Sequence, residues 1–268
     1  CIRDRDKRVL LESYRRTSGV MNYVRLINGA FSMKPTSEWE EPDPIPWQAI
    51  MGREGNIYET YDEFMDAEGH RDWPSIAVYF YRDEWIMGDI EYQQALFEEI
   101  YKHQYNPIIF YGQYGSNPRV GIPNMKLSMN HLFGKDIFPF DVLINTCKFS
   151  FQSLGAQTLE ELKLQDVPIV QGYTIYMDEK SWAENPQGVT PLDVNLSISQ
   201  PELDGVIQGG VVACQTYDER GHYIYLPVKE RIAAIVRRAI KWSKLRHIPV
   251  SERKVAVILH NYPPKNSN

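Results

Sequence analysis

The feature that most constrains the fold is a series of short apolar segments separated by stretches with helical periodicity. Four segments have the length of a strand and are apolar apart from Asp141, Asn145 and Gln171: 76–81, 107–111, 141–145 and 168–171. Three stretches carry apolar residues at helical spacing: 90–103, 125–133 and 227–245. Strands that are apolar on both faces are typical of a mostly parallel sheet with helices on each side. The sequence therefore predicts an α/β fold in which these four strands are parallel neighbours.

This pattern predicts a doubly wound sheet, flavodoxin-like or periplasmic-binding-like, within residues 51–253. Before it, residues 3–32 have helical spacing that is interrupted at Ser18–Gly19. Proline then recurs through the acidic connector 35–46, which excludes regular structure there. Residues 1–50 are therefore interpreted as an N-terminal helical segment and a connector from a preceding domain.

The last residues of the sequence predict one further strand. The apolar run within 254–259 has the length of a strand, and we interpret residues 254–268 as a strand that completes the sheet or starts a next, truncated unit. The first residue is Cys1 rather than methionine. We therefore expect the chain to be an internal piece of a longer polypeptide.

Charge and composition narrow the function classes. The formal net charge is −6, whereas phosphate backbones are bound by clustered Lys and Arg, so no nucleic-acid surface is expected. No apolar run approaches ~20 residues, so no membrane span is expected. The three cysteines lie far apart, and the six histidines show no metal-ligand spacing. We therefore expect a reducing, cytoplasmic location without a disulfide framework or a structural zinc site.

The glycine motifs of common nucleotide and hydrolase sites do not occur in the sequence. Neither G-x-x-x-x-G-K-[ST] nor G-x-G-x-x-G is present, so the chain is not expected to bind ATP or a dinucleotide by those loops. The nucleophile motif G-x-S-x-G is not found either. Any chemistry is therefore expected to use other side chains.

One short motif, Pro201–Gly205, combines two carboxylates with turn residues. If the motif is extended, Glu202 and Asp204 point to the same side, because side chains alternate along a strand. Two such carboxylates can accept protons or hold a divalent cation. Alternatively, Asp204-Gly205 forms a turn, which is favoured by its residue types.

Polar or aromatic residues follow three predicted strands, at the edge where α/β proteins bind ligands. These residues are Tyr81 and Arg82, Asn145 and Thr146, and His260, Asn261 and Tyr262. Arg82 suits either a substrate carboxylate, which a guanidinium binds with two hydrogen bonds, or a structural salt bridge. His260 suits either a position in the cleft or a loop whose prolines end the sheet. Both choices stay open at this point.

Several motifs, in their order along the chain, resemble one family. Residues 255–264 are similar to the family's segment VAIILHNYPP, residues 141–149 to D-x-(V/I)-(V/I)-N-x-T-x-F, and the strand that ends in Phe80-Tyr81-Arg82 to VGILFYR. The match to VPVLQ…W…GL-x-P…LPELDG is carried, at approximate spacing, by 167–171, Trp182, 188–191 and 201–205. This family contains the cobaltochelatase large subunits and the magnesium-chelatase H subunits.

The resemblance implies an internal piece of the tetrapyrrole-binding large subunit of an ATP-dependent metal chelatase. Residues 207–210 read IQGG where H subunits carry M-E-P-(I/V), which favours the cobalt branch. The implied reaction is cobalt insertion into a corrin precursor in cobalamin biosynthesis. The alternative is magnesium insertion into protoporphyrin by an H subunit.

The resemblance also implies partners. ATP and Mg²⁺ would be used by AAA-type ATPase subunits, in line with the missing P-loop, and a further partner subunit would contain a metal site. No cofactor is expected on this chain, for which Co²⁺ or Mg²⁺ is a substrate. This piece alone is expected to be inactive.

The implied site divides into two groups of residues. Glu202 would be the proton acceptor and, with Asp204, a transient metal ligand, and His260 would be a second catalytic base or ligand. The implied substrate-binding residues are Tyr81, Arg82, Asn145, Thr146, Asn261 and Tyr262. Two alternatives of a different class are a non-catalytic ligand-binding module with the same strand pattern and a docking domain for the ATPase partner.

Overall fold

The computed structural model describes residues 10–11, 13–14, 19–113, 122–134, 137–154, 160 and 162–259. The strands are β1 (Ala49–Met51), β2 (Ile57–Tyr58), β3 (Ser75–Tyr81), β4 (Asn106–Gly112), β5 (Val142–Asn145), β6 (Ile169–Ile175), β7 (Ile207–Tyr217) and β8 (Tyr223–Pro227). The helices are α1 (Val20–Phe31), α2 (Tyr61–Ala67), α3 (Arg82–Met87), α4 (Glu91–Lys102), α5 (Met125–Phe133), α6 (Glu179–Glu184), α7 (Pro191–Asp193), α8 (Gln200–Leu203) and α9 (Lys229–His247). A π-helical segment, Val194–Ser199, joins α7 to α8.

The four strands predicted from the apolar segments are β3, β4, β5 and β6, and their parallel arrangement is confirmed. β3 pairs in parallel with both β4 and β5, β5 with β6, and β6 with β7. Antiparallel strands flank this set, so that the order of the eight strands is β2-β1-β4-β3-β5-β6-β7-β8. The carboxyl ends of β3, β5 and β6 therefore point to one edge of the sheet.

Helices cover both faces of the sheet, so the doubly wound arrangement is confirmed. Consecutive strand residues point to opposite faces, so Phe110 and Tyr111 of β4 mark the two sides. On the Phe110 side, Phe133 of α5 packs edge-on with its ring centroid 5.2 Å away. On the other side, α4 and α9 pack against the strands and against each other, and Ile235 of α9 lies over Gly172.

The helix α1 confirms the predicted N-terminal helical segment. Gly19 precedes it with a φ of +87°, a conformation that favours glycine. The side chain of Asn22 fastens the helix to the connector, because it donates to the Asp43 carbonyl at 2.9 Å and accepts from the Asp43 N–H at 2.8 Å. Residues 39–46 contain no helix or strand, as the repeated prolines predict, but Thr36–Glu38 form a turn of 3₁₀-helix. The exclusion of regular structure is therefore wrong for this part of the connector 35–46. The division of the chain at residues 50 and 253 stays a prediction.

Residues 254–259 do not form the predicted strand. They have no regular secondary structure, and none of the described strands pairs with them. Their apolar side chains are between 77% and 92% exposed: Val255, Val257, Ile258 and Leu259. A strand requires a partner for its backbone hydrogen bonds, so an apolar sequence is not sufficient. The interpretation that this segment completes the sheet is therefore wrong, and its role as the first strand of a next unit stays a prediction.

Two adjacent glycines in β7 provide a test of how closely β6 and β7 pack. A Cβ atom added at Gly209 would lie 2.2 Å from the Gln171 carbonyl oxygen and 2.7 Å from Ile235, whereas one added at Gly210 would meet no atom within 4 Å. We expect Gly209→Ala to lower the free energy of unfolding by about 1–3 kcal/mol, the usual effect of overpacking. Gly210→Ala is the matched control and should leave stability unchanged or slightly raised. Thermal unfolding followed by circular dichroism measures both, and equal melting temperatures for the two variants would contradict the close approach.

Candidate functional site

A buried amide pair closes the end of β5. Asn145 Nδ2 donates to Gln171 Oε1 at 2.8 Å, and Gln171 Nε2 donates to the Cys147 carbonyl at 2.8 Å. The Cys147 N–H donates back to Asn145 Oδ1 at 3.2 Å. All three residues are at most 1% exposed. Because a buried amide group without a partner costs about 1–3 kcal/mol, this network fixes the direction in which the chain leaves β5.

Thr146 connects the end of the same strand to α4. Its hydroxyl donates to the Tyr79 carbonyl at 2.9 Å and lies 3.1 Å from the Tyr92 hydroxyl. The Tyr92 hydroxyl donates to Glu84 Oε2 at 2.6 Å, and Gln93 Nε2 donates to the same oxygen at 2.7 Å. A chain of buried polar groups therefore runs from β5 to the carboxyl of Glu84.

The carboxyl of Glu84 holds its proton at neutral pH. Burial raises the pKa of Glu84 to about 8, and the charge of Asp89 adds to the increase. The hydrogen bond from Tyr92 and the charge of Lys148 act in the opposite direction but are smaller than the effect of burial. A carboxyl that titrates this far from its usual range, at the ligand-binding edge of an α/β sheet, is a functional-site candidate.

Lys148, two residues beyond Thr146, is a buried cation surrounded by aromatic rings. The residue is 6% exposed, and its Nζ lies 3.3 Å from the ring centroid of Tyr176 and 5.6 Å from that of Tyr225. The Tyr225 hydroxyl is 3.4 Å from Nζ. Burial lowers the pKa of Lys148 to about 8, although the charges of Asp193 and Glu84 favour the protonated form. We call Glu84, Tyr92, Thr146, Lys148, Tyr176 and Tyr225 the carboxyl-edge cluster.

Backbone contacts hold Lys148 in place. The Tyr81 hydroxyl accepts from the Lys148 N–H at 2.7 Å and donates to the Lys148 carbonyl at 3.1 Å. The next residue, Phe149, has a φ of +72°, and its N–H donates to the Leu196 carbonyl at 2.7 Å. A non-glycine residue in this region of φ is strained and persists only where its surroundings enforce it. The lysine is therefore positioned by constraints on both of its sides.

Asp193 places Tyr176 over the lysine. It is 1% exposed, and its Oδ1 accepts from the Tyr176 N–H at 3.3 Å. Its Oδ2 accepts from the Thr190 hydroxyl at 2.6 Å. Thr190 also caps α7, since its hydroxyl oxygen accepts from the Asp193 N–H at 3.1 Å. The short helix α7 thereby fixes the strand end that carries the aromatic ring.

The Pro201–Gly205 motif ends a helix and forms a turn, so the turn interpretation is confirmed and the extended one is wrong. Glu202 lies in α8 and is exposed, while Gly205 has a φ of +78°. The Asp204 carboxylate accepts from the Ser150 hydroxyl at 2.8 Å and from the Phe151 N–H. The motif is therefore fastened to the loop that follows β5. Glu202 lies close enough to Tyr173 for its charge to add to the effect of burial, and together they raise the pKa of that phenol to about 12.

The structure brings together some of the predicted site residues. Tyr81, Asn145 and Thr146 all bound the loop that carries Lys148, and Asp204 binds that same loop. Arg82 is directed elsewhere: it is 2% exposed and donates to the carbonyls of Pro46 at 2.8 Å and Ile45 at 3.1 Å. These contacts favour a structural role for Arg82. The predicted residues His260, Asn261 and Tyr262 lie outside the described residues.

Two further properties concern the described part of the chain. Within it, no group of three or more His, Cys, Asp or Glu side chains is arranged to hold a metal ion. None of its helices has the combined length and apolarity needed to cross a lipid bilayer. The Asp204 carboxylate is occupied by Ser150 and Phe151, which leaves Glu202 as the more accessible carboxylate of the motif.

Comparison with known proteins identifies the family of the chain. The model of the CobN/Magnesium Chelatase family matches residues 12–268. The chain belongs to this family. A protein of Methanocaldococcus jannaschii whose function is not described is 30% identical over 98% of the chain. The aerobic cobaltochelatase subunit CobN of Pseudomonas aeruginosa is 24% identical over 85% of the chain.

The chelatase family members are much longer than this chain. The chain spans 23% of the Methanocaldococcus protein and 18% of the Pseudomonas subunit. The magnesium-chelatase H subunit of Rhodobacter capsulatus is 29% identical over 40% of the chain, which corresponds to 10% of that protein. The catalytic subunit of cobaltochelatase from Mycobacterium tuberculosis has the same fold, with a TM-score of 0.66 and 22% identity over 90% of the chain and 19% of that subunit.

Sequence reasoning missed most of the carboxyl-edge cluster. Glu84 stands in the polar strand end 81–85, and Lys148 lies two residues beyond the strand end Asn145-Thr146. Nothing in the sequence showed that Lys148 would be buried or that the Glu84 carboxyl would be desolvated. Tyr176, Asp193 and Tyr225 are brought to the cluster from separate elements, for which no local pattern exists. Only long-range packing therefore identified them.

The raised pKa of Glu84 predicts a pH-dependent effect of Glu84→Gln. Between its ordinary pKa of 4.5 and about 8, the unfolded carboxyl is ionised while the folded one keeps its proton, so the stability that Glu84 contributes falls as the pH rises through this window. Glutamine cannot ionise and still accepts hydrogen bonds from Tyr92 and Gln93. We expect equal melting temperatures for the two proteins near pH 5 and a growing advantage of the variant up to pH 8.5.

Thermal unfolding of both proteins at five pH values measures this effect. Glu219→Gln, a substitution of an exposed turn residue, is the control for the removal of one carboxyl group elsewhere on the chain. A difference for Glu84→Gln that is constant with pH, or that has the opposite sign, would show that burial does not hold the proton on Glu84.

Proposed function

We propose that the chain is part of the tetrapyrrole-binding large subunit of an ATP-dependent metal chelatase that inserts cobalt into a corrin precursor in cobalamin biosynthesis. The observation that carries this proposal is the match of the chelatase family model to residues 12–268. The cobalt branch is favoured because the similarity to the Pseudomonas cobaltochelatase subunit extends over 85% of the chain, whereas that to the Rhodobacter magnesium-chelatase protein extends over 40%.

Metal insertion requires a group that accepts the two protons of the pyrrole N–H groups and a site at which the cation loses its water. Glu202 suits the proton acceptor, because it is exposed at the end of α8 and ionised carboxylates are effective general bases. It also suits a transient oxygen ligand for the incoming cation, which is the substrate. In the proposal, Asp204 supports Glu202 by fixing the turn, and His260 is the second basic group.

The substrate-binding part of the proposal rests on the loop after β5. Tyr81, Asn145 and Thr146 shape this loop, which the Asp204 carboxylate joins to the motif that carries Glu202. A ligand bound against the loop would therefore lie near both regions. Asn261 and Tyr262 are proposed to extend the same surface.

The proposal includes partner subunits that carry out steps other than binding the tetrapyrrole. AAA-type ATPase subunits would use ATP and Mg²⁺, and a further subunit with a metal site would complete the complex. The chain has no P-loop sequence, which agrees with ATP hydrolysis on another subunit. A cytoplasmic location belongs to the same proposal and is supported by Cys147 and Cys214, which are both free thiols.

A second candidate function is magnesium insertion into protoporphyrin. It is supported by the 29% identity to the magnesium-chelatase H subunit of Rhodobacter capsulatus over 121 residues. The site chemistry is the same for both reactions, because either cation accepts a carboxylate oxygen. Insertion assays with Co²⁺ and Mg²⁺, each with a corrin precursor and protoporphyrin, distinguish the two.

Glu202→Gln tests the catalytic role in the complete subunit assembled with its partners. Glutamine keeps the shape of glutamate but cannot accept a proton, so we expect the insertion rate to fall by ~10²–10⁴-fold, the usual contribution of a general base. The affinity for the macrocycle and the melting temperature should change little, since Glu202 is exposed. Insertion rate, macrocycle binding and thermal unfolding are measured on the same preparation, with Glu219→Gln as the control.

A purely structural role of Glu202 gives a different pattern. In that case the variant has a lower melting temperature and an unchanged insertion rate per folded molecule. That result would remove Glu202 from the proposed chemistry while leaving the family of the chain untouched.

A further inference from the structure

The Lys148 ammonium has fewer partners than a buried cation requires. An ammonium carries three N–H donors, and the Tyr225 hydroxyl at 3.4 Å is the only hydrogen-bond acceptor that the described residues offer to it. No carboxylate among those residues lies within 4 Å of Nζ to form an ion pair. Buried charges in proteins are normally both paired and hydrogen-bonded, and the Tyr176 ring over Nζ is a weaker partner than a carboxylate. An ammonium with one oxygen acceptor among the described residues therefore indicates a site for an external acceptor.

None of the acids among the described residues forms a direct ion pair with the lysine. Glu84 keeps its proton because burial raises its pKa to about 8. The Asp193 carboxylate accepts from the Thr190 hydroxyl and from the Tyr176 N–H. The ammonium therefore has no direct ion-pair partner among the described residues, and the charge of Asp193 favours its protonated form from beyond ion-pair distance.

The lysine lies where a ligand can reach it with little rearrangement. It follows β5, and Tyr176 follows β6, so both are at the carboxyl ends of adjacent parallel strands. The Tyr176 ring covers Nζ at 3.3 Å and is itself part of a residue that is 40% exposed. Rotation of this one side chain would open the ammonium to solvent, whereas the backbone of Lys148 is held by Tyr81 on both sides.

We propose that the Lys148 ammonium, covered by Tyr176 and flanked by Tyr225, binds a carboxylate group of the ligand. The inference rests on the proposed function, since tetrapyrroles carry carboxylates on the edge of the ring. The carboxylate would accept the two remaining N–H donors, and the ring of Tyr176 would move aside or stack on the macrocycle. Charge-assisted hydrogen bonds of this kind are stronger than neutral ones and are strengthened further by burial.

The experiment compares two probes that differ only in charge: mesoporphyrin IX, which has two free carboxylates, and its dimethyl ester. Binding to the chain is followed by the quenching of tryptophan fluorescence. Lys148→Met keeps the length of the side chain without its charge, and Lys180→Met, at an exposed position, is the matched control. We expect Lys148→Met to weaken binding of the free acid by about 10- to 100-fold and binding of the ester by less than about twofold.

The outcomes separate this inference from the proposed function. If the unmodified chain binds both probes and Lys148→Met changes neither affinity, or changes both equally, the carboxylate site is overturned while tetrapyrrole binding stands. A rise in melting temperature without any change in binding would identify Lys148 as a buried charge of structural origin only. If the unmodified chain binds neither probe, both the inference and tetrapyrrole binding by this chain are overturned.

A second measurement uses the unmodified chain, so it does not depend on whether a Lys148 variant folds. On the unmodified chain, the affinity for the acid relative to the ester should fall as the pH rises through about 8, where the ammonium loses its proton. The charged or titratable groups that face Lys148 are Glu84 from α3, Asp193 from α7, Tyr176 after β6 and Tyr225 from β8. Burial raises the pKa values of both tyrosines, so they stay neutral across this range.

Glu84 is the one neighbour that ionises in the same range, and its negative charge would also weaken binding of the acid. The series is therefore repeated with Glu84→Gln. A decrease that persists in this variant belongs to Lys148, whereas a ratio that no longer depends on pH overturns the proposed carboxylate site.

Discussion

The hydrogen bond between the buried side chains of Asn145 and Gln171 is the interaction on which the site depends. It joins β5 to β6 in the interior, and both amides also bind the backbone of Cys147. Because these polar groups have no access to water, they are stable only when all of them are paired, and this allows one path for the chain after β5. The loop that carries Lys148 and reaches Asp204 follows from that path.

Burial brings the pKa of a carboxyl in α3 and the pKa of an amine in this loop to similar values. It raises the pKa of the Glu84 carboxyl and lowers that of the Lys148 amine, so both titrate at about 8. Each group is less costly to bury in its neutral form, and neither has, among the described residues, the close ion-pair partner that would restore its ordinary pKa. The fold therefore holds two groups that change charge near physiological pH within one region, at a cost in stability that a purely structural site would avoid.

The Pro201–Gly205 motif is connected to this region through its second carboxylate rather than its first. Asp204 is used to fasten the turn to Ser150 and Phe151, which leaves Glu202 exposed. This division of roles gives the two acids of one short motif different chemistry: one sets geometry, and the other is available as a proposed proton acceptor. The same contact connects the motif that carries Glu202 to the loop that carries Lys148.

The sequence by itself determined the four parallel strands β3 to β6 and the helices α4, α5 and α9, and it favoured the turn at Asp204-Gly205, because apolar periodicity and turn residues act over a few neighbouring positions. The fifth parallel strand, β7, was not predicted. Only the tertiary structure decided that Arg82 binds the connector, that residues 254–259 pair with none of the described strands, and that Lys148 is buried and the Glu84 carboxyl desolvated. Three of the predicted site residues, Tyr81, Asn145 and Thr146, surround the loop that the structure assigns to the site. The other features of the candidate site were not predictable, because hydrogen-bond pairing and desolvation depend on which distant residues meet. Tyr176, Asp193 and Tyr225 come to Lys148 from separate elements.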